Sequence, residues 1–439
     1  MDPTLLAIVL VAVLLVAILL RAPIGLAMGV IGACGYIALS GTAGLTAYLS
    51  TAWPDKFLSY DLAVVPLFIL MGHLATRTGI SAALFSASNA WIGHWRGGLA
   101  MAAVAGCAMF GSISGSSIAT ASTMAKVALP EMRKHNYSGA LSSGALAAGG
   151  TLGILIPPSI VLIIYALLTE QNIVNLFLAA TVPGILAVLG FIIAIAVFVR
   201  IYPDAAPDQV KADLRTRMRS LLGIWHILGI FVIVLGGIYG GFFTPAEGAA
   251  IGVVLTALAG ILTRSLSLQS MLESLIDTAG ATAMIFVIIF GADIFNIAIA
   301  LSRLPTTIAD WFNTADIAPM TVLLLVVCFY LVMGCVMDSL SMIVLTVPVF
   351  FPTLMSLDFG LMPDQQALWL GILTLVVVEV GMITPPVGMN LFIISAIARD
   401  VPTSAIFRGT IPFITSEFFR VALLIAFPAL SYWLVGLWQ

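Results

Sequence analysis

The sequence predicts an all-α polytopic membrane protein built from two inverted repeats, each with a re-entrant hairpin and a proline-broken helix. Three observations carry this. Of 439 residues, 61% are hydrophobic and 8% charged, against roughly 25% charged in a soluble domain, and mean hydropathy is +1.16. Long apolar stretches carry one break twice, Gly153-Ile-Leu-Ile-Pro-Pro158 and Gly381-Met-Ile-Thr-Pro-Pro386, at a constant offset of 228 residues (Gly153 to Gly381, Pro157 to Pro385). Each break follows an apolar segment interrupted midway by small and polar residues, Gly111–Ser117 and Gly334–Ser341. Adjacent prolines remove helical donors and leave carbonyls unpaired, which a bilayer tolerates only where protein or a water-filled cavity satisfies them. Matching breaks in two halves point to the binding site of a secondary transporter.

The elements follow in order. A spanning helix needs about 20 apolar residues, which gives spans at 4–20, 23–43, 57–76, 139–168, 173–199, 222–241, 245–263, 276–300, 366–397 and 410–436. The first apolar run lacks a basic leader and a small-residue cleavage site, so it reads as a retained helix. Segments 98–130 and 319–353 are too short for two crossings and too long for one, hence the hairpins. The amphipathic stretch 81–95 ends in Trp91, His94 and Trp95, and 304–317 carries Trp311; tryptophan at headgroup level suggests helices lying in the interface plane. Residues 1–202 form the first repeat, 203–221 a polar cytoplasmic linker and 222–439 the second repeat. In the second, Thr244-Pro-Ala-Glu247 is a capping box.

Positive charge sets orientation. With the N-terminus periplasmic, fourteen of the 17 basic residues fall at cytoplasmic ends, Arg21, Arg77 and the run from Lys211 to Arg219 among them, while Lys56 and Arg303 fall outside and Arg420 lies within the last helix. Both termini are then periplasmic, and the two hairpins enter from opposite sides. The basic cluster of the linker reads as a topology marker.

Several functions are excluded. Net charge is −3 with no basic block for nucleic acid. No GxxxxGK[ST] phosphate loop occurs, and no GxSxG or HExxH constellation supports catalysis. Cys34, Cys107, Cys328 and Cys335 lie in apolar or glycine-rich runs without CxxC spacing and read as buried thiols. His73, His135 and His226 lack metal-ligand spacing and read as structural.

The chemistry left is ion and anion binding. Hard cations take carboxylate, carbonyl and hydroxyl oxygens, and half-helix ends with unwound carbonyls supply these at little charge. The first Na⁺ site would combine the tip Ser112, Ser114, Gly115, Ser116 and Ser117 with carbonyls around Gly150 and Gly153. The second would combine Asp338, Ser339 and Ser341 with Gly381 and the Thr384 hydroxyl. A bland reading is that serine and glycine merely let helices pack closely; pairing with a proline break, twice, favours the cation site. Of the intramembrane acids Asp293, Asp338, Glu379 and Glu417, functional candidates by their cost in a bilayer, Asp338 and Glu379 flank the second site, and Asp293 with Asn296 could bond a neighbouring helix or a partner subunit. Candidate substrate contacts are Ser116, Ser117, Thr151, Pro157, Thr384, Pro385 and Asn390, beside half-helix N-termini whose positive dipole ends suit an anion.

The segments Gly111-Ser-Ile-Ser-Gly-Ser-Ser-Ile-Ala-Thr120, Lys126-Val-Ala-Leu-Pro-Glu-Met132, Gly149-Gly-Thr-Leu-Gly-Ile-Leu-Ile-Pro-Pro-Ser159, Phe243-Thr-Pro-Ala-Glu247, Met337-Asp-Ser339 and Glu379-Val-Gly-Met-Ile-Thr-Pro-Pro-Val-Gly-Met-Asn390 resemble the large membrane subunit of tripartite ATP-independent periplasmic (TRAP) transporters. The resemblance runs the length of the chain in the expected order. It implies an elevator-type, Na⁺-coupled importer of a small organic acid such as a C4-dicarboxylate or sialic acid, in the bacterial inner membrane, with no cofactor beyond the coupling ion. It also implies two partners, a small four-helix membrane subunit and a periplasmic substrate-binding protein. Spans 4–43 and 222–263 would form the fixed scaffold, and the hairpins and broken helices the moving part, linked by the interfacial helices. The second tip, Asp338-Ser-Leu-Ser341, departs from the serine-glycine run of the first, so the two cation sites need not be equivalent. The rivals are a stand-alone cation-coupled anion transporter of the same superfamily and a membrane channel or scaffold.

Overall fold

The computed structural model describes residues 2–438 except 21, 58–59, 208–210 and 315–316; the predicted topology marker Arg21 and the side chains of Lys56 and Trp311 lie outside the described residues. Helices make up the architecture, with no strand among the described residues. Seven are long and apolar enough to cross a membrane, and two bent pairs, if each counts as one span, raise this to nine.

An outer layer begins with α1 (Pro3–Leu19) and α2 (Ile24–Phe57). The sequence predicts the end of α2 near residue 43; instead it kinks at Gly41, whose φ is +75°, and continues to Phe57. Along α2 lies α12 (Leu268–Leu301), in such close contact that a Cβ on Gly291 would stand 2.0 Å from the Gly25 carbonyl oxygen. A Tyr48 hydroxyl from the continued α2 donates to the Asp293 carboxylate on α12. Asp293 therefore bonds a neighbouring helix of its own chain. The outer layer also holds α10 (Leu214–Tyr239) and α11 (Pro245–Leu262), the latter opened by the capping box between Thr244 and Glu247. Because Asp213 accepts from the Thr216 N–H at 3.2 Å, α10 starts seven residues before the predicted linker ends, and the cationic run 215–219 is helical.

Between the predicted spans the chain bends. A 3₁₀ turn at Tyr60–Ala63 precedes α3 (Val64–Arg77), so of the predicted span 57–76 Phe57 ends α2 and α3 begins at residue 64. After Gly79 comes α4 (Ile80–Ile92), turned 68° from α3. Leu84 and Phe85 of α4 are buried, while Trp91 at its end is exposed. Arg77 ties α3 to α12 through Glu273 and, at 2.6 Å, Asp277.

The inner body contains α5 (Gly98–Ser114), α6 (Ser117–Lys134), α7 (Gly139–Leu155), α8 (Ile160–Thr169), α9 (Ile173–Ile201), α14 (Pro319–Gly334), α15 (Ser339–Met355), α16 (Pro363–Ile383), α17 (Met389–Ile397), α18 (Thr403–Ala426) and α19 (Ala429–Trp438); α13 (Leu304–Thr314) precedes α14. α7 is composed of small residues and is buried from Leu141 to Leu155; a Cβ on its Gly144 would stand 2.2 Å from the Gly409 carbonyl oxygen of α18. Close backbone approach replaces a hydrophobic driving force inside a bilayer. After its exposed first turn, α16 is enclosed by protein from Gln366 to Ile383. By contrast Ile185, Leu189, Ile193, Val197 and Ile201 of α9 are all exposed at four-residue spacing, an apolar stripe that suits lipid contact.

The predicted last span, 410–436, is two helices. Pro428 has no N–H to give the Leu424 carbonyl, and the Trp369 indole N–H donates to it instead at 2.9 Å. The break is thus filled from α16.

Candidate functional site

Each hairpin turns on a different device. In the first, Gly115 adopts φ +61° and caps α5, its N–H reaching the Gly111 carbonyl at 2.8 Å. Ser116 is extended and caps α6, its hydroxyl accepting from the Ala119 N–H. Ser114 and Thr120 share a hydroxyl–hydroxyl bond of 2.8 Å. In the second, Asp338 caps α15 by accepting from the Ser341 N–H at 3.1 Å. A carboxylate at a helix N-terminus is favoured by the exposed N–H groups and the dipole, so Asp338 does structurally what Ser116 does in the first tip.

The breaks lie directly against these tips. A Cβ on Gly111 would stand 2.6 Å from the Gly153 Cα, and one on Gly153 would stand 2.9 Å from the Ser116 carbonyl oxygen. Gly388 donates its N–H to the Cys335 carbonyl at 3.0 Å. Since residue 157 is proline, the Gly153 carbonyl has no helical donor four residues on; the Ile154 carbonyl, opposite Pro158, accepts the Ser159 hydroxyl. The second break differs. There the Gly381 carbonyl accepts the Thr384 N–H at 3.1 Å, and the Thr384 hydroxyl donates to Val380 at 2.6 Å.

The two halves meet. Ser117 of the first tip donates to the Met382 sulfur of the second break at 3.5 Å. A cavity of about 280 Å³ is lined by Ser114–Ala119 from the first tip and Asp338–Leu340 from the second, with Ile160 and Val161 of α8 and Ala281 and Ile285 of α12. The lining is completed by Ile154 of α7 and by α3, through Ile69, Gly72, His73 and Thr76. These four recur at helical spacing, which is the signal the sequence offered; His73 reads as structural there only because no second histidine accompanies it.

Of the sequence-predicted residues, Ser114, Gly115, Ser116, Ser117, Asp338 and Ser339 line this cavity. The others sit elsewhere. Ser112 and Thr151 are buried and donate to their own helices, at Met109 and Ala148. Asn390 is fully buried and donates to the Ala147 carbonyl at 3.1 Å, close to Gly150. Pro157 faces a separate apolar cavity of about 490 Å³ between α9 and α10. Thr384, Pro385, Ser341, Gly381 and Gly153 lie behind the tips rather than on the cavity wall.

Glu379 is the clearest displacement. The sequence pairs it with Asp338 beside the second site; the structure pairs it with Arg420. The guanidinium reaches Glu379 at 2.6 Å, Glu417 one turn earlier on its own helix, and the Pro183 carbonyl at 3.2 Å. All three side chains are buried. This cluster joins α16, α18 and α9, and among the described residues leaves Asp338 as the only carboxylate on the cavity wall, with no lysine or arginine there.

Helical spans, two helix-pair tips from opposite halves and a small cavity between them, part polar and part apolar, define a multi-pass membrane transport protein. The comparisons are more specific. The model of the family described as "Tripartite ATP-independent periplasmic transporter, DctM component" matches residues 11–430. The chain is 36% identical over 374 residues to the C4-dicarboxylate TRAP transporter large permease protein DctM of Pseudomonas aeruginosa, with 85% of each chain covered. It is 29% identical over 407 residues to the sialic acid TRAP transporter large permease protein SiaM of Vibrio cholerae, covering 92% and 93%. It is 32% identical to the ectoine TRAP transporter large permease protein TeaC of Halomonas elongata, covering 85% and 86%. Among solved structures, the YdaH transporter of Alcanivorax borkumensis shares the fold, with a TM-score of 0.63 at 15% identity over 100% and 99% of the two chains. The chain belongs to the family of TRAP transporter large permease subunits, a family of transporter permeases rather than enzymes.

Proposed function

We propose that this permease imports a small organic acid by Na⁺ symport, as the large membrane subunit of a binding-protein-dependent transporter. One observation carries the reading: the tips of both helix pairs converge on one cavity whose polar groups are hydroxyls, backbone amides, His73 and a single carboxylate. Much of the wall is apolar, and its polar groups are mostly oxygens with little charge, which fits Na⁺. It also presents the N-terminal ends of α6 and α15 to an anion. The matching breaks support inverted repeats. The hairpins, α7–α9 and α16–α18 are then the moving body, and α1, α2, α10 and α11 the scaffold, in an elevator motion. The relatives' names span C4-dicarboxylates, sialic acid and ectoine, so the shared cavity accounts for the class of solute and not its identity. The setting is the bacterial inner membrane with both termini periplasmic.

The test is uptake by proteoliposomes holding this chain, a small four-helix membrane subunit and a periplasmic binding protein. Import should require an inward Na⁺ gradient. Equal uptake when choline replaces Na⁺ at constant pH would reject Na⁺ coupling and favour proton coupling through Asp338.

A further inference from the structure

Where α4 meets the start of α10, the chain gathers Arg217, His94 and two tryptophans, and no carboxylate pairs with Arg217 or His94 among the described residues. The Arg217 guanidinium carbon lies 5.9 Å from the centre of the Trp91 ring, and one of its terminal nitrogens lies 3.3 Å from His94 Nδ1. Arg217 Nε is buried and has no hydrogen-bond partner among the described residues. The His94 ring stands edge-on to Trp95, 6.2 Å between centroids. Desolvation, with the charges of Arg217 and Lys211, holds His94 below the usual imidazole range.

Neither obvious structural role absorbs Arg217. The last carbonyls of α4 are satisfied within its own turn, Asn89 by the Gly93 N–H and Ile92 by the Trp95 N–H. The acid one turn away on α10, Asp213, spends its carboxylate capping its own helix. No ion pair of Arg217 or His94 occurs among the described residues. A half-buried, forked donor lying on an indole, with no acid facing it among the described residues, matches the geometry that receives a phosphate.

The surroundings identify which phosphate. Trp91 and Trp95 are 38% and 48% exposed, and from the same turn of α10 an apolar stripe runs outward through Leu214, Met218, Leu222 and Trp225, all more than half exposed. Indoles at headgroup level above an exposed apolar helix face are the setting of a phospholipid, whose acyl chains would lie along the stripe. We propose that Trp91, His94 and Arg217 form a binding site for the headgroup of an anionic phospholipid, bridging α4 to α10. A lipid held there bridges an element beside the first hairpin to an element of the outer layer, so it would set how freely the two slide.

The experiment uses the full chain in phosphatidylcholine nanodiscs with increasing phosphatidylglycerol, with bound lipid counted by native mass spectrometry. Wild type should retain phosphatidylglycerol in preference to phosphatidylcholine, and Arg217→Ala should weaken that retention about fivefold, the effect of one cation at a membrane surface. Arg408→Ala, an exposed arginine on α18, should leave it unchanged. If Arg217→Ala fails to fold, Arg217→Lys and Trp91→Leu carry the test, and each should weaken retention. Equal retention of phosphatidylcholine, equal losses in the Arg217 and Arg408 variants, or competition by millimolar inorganic phosphate would overturn the proposal, the last in favour of a free-phosphate site.

Discussion

Gly334 and Gly381 meet backbone to backbone: a Cβ on Gly334 would stand 2.9 Å from the Gly381 Cα, and one on Gly381 would stand 2.6 Å from the Gly334 Cα. The end of α14 and the end of α16 therefore touch where the second tip lies on the second break. Gly111 and Gly153 make the corresponding contact in the first half, at 2.6 Å. Only glycine permits these approaches, because the obstructing atoms are backbone and cannot swing away. Gly381→Ala and Gly153→Ala should each lower stability by about 1–3 kcal/mol, the scale of overpacking, and displace the tips. Gly229→Ala on α10, where no atom lies within 4 Å, should leave the apparent melting temperature in detergent unchanged or raise it. Equal melting temperatures for all three variants and wild type would show that the contacts relax freely.

The Arg420 cluster makes the next prediction. Two buried carboxylates share one buried guanidinium, and removing one partner of a buried ion pair costs about 3–5 kcal/mol because the other is left uncompensated. Arg420→Met should abolish recovery of folded protein from membranes. Combining it with Glu379→Gln and Glu417→Gln, which removes every charge, should restore most of it. Folded yield of the single variant equal to wild type would place the cluster in water.

Trp369 and Pro428 allow a double-mutant cycle. In the wild type the indole N–H replaces the backbone donor that Pro428 cannot supply to Leu424. Trp369→Phe should cost about 1 kcal/mol for the lost bond. With Pro428→Ala, which restores a backbone donor, the same change should cost less. Identical costs in both backgrounds, read from thermal unfolding, would mean that the indole bond is incidental.

The parts of this molecule that were legible in the sequence are those fixed by local chemistry. Pro157-Pro158 and Pro385-Pro386 end helices wherever they occur, and Thr244 and Glu247 mark a helix start by residue type and spacing alone, whereas the capping role of Asp338 came only with the structure. What a single sequence withholds is which helix faces which. Arg420 stood out as a charge inside a helix and Glu379 as an intramembrane acid, yet 41 residues and a break separate them, and only packing brings them together. His73 joined the cavity because Gly72 lets α3 approach within reach of Ser114, a Cβ there standing 3.1 Å from the Ser114 Cα. The long continuation of α2 was hidden because Gly41 ends the apolar run without ending the helix.

The prolines of the first break have a direct test. Pro157→Ala with Pro158→Ala supplies N–H donors to the Gly153 and Ile154 carbonyls and should close off the former as an oxygen ligand. Transport should fall by about tenfold or more, the scale on which metal sites respond to loss of supporting groups, while the amount of protein in the membrane stays near normal. Normal uptake by the double variant would make these prolines ordinary kinks.

Dependence on a binding protein is the most consequential expectation. Between α9 and α10 the chain has a short polar link, and the segments expected at the periplasmic face, 44–56, 169–175, 301–318 and 355–365, are the continued α2, the short α13, helix ends and short turns where described. None offers a soluble domain that could capture a dilute solute. A binding protein docking on these edges would raise the local concentration of substrate and, by contacting one state more than the other, shift the permease toward the outward-open form. Liposomes carrying the chain and its small membrane partner, given Na⁺ and free substrate, should take up almost nothing until the binding protein is added. Robust uptake without it, saturating at micromolar substrate, would instead establish a stand-alone anion transporter on the same fold.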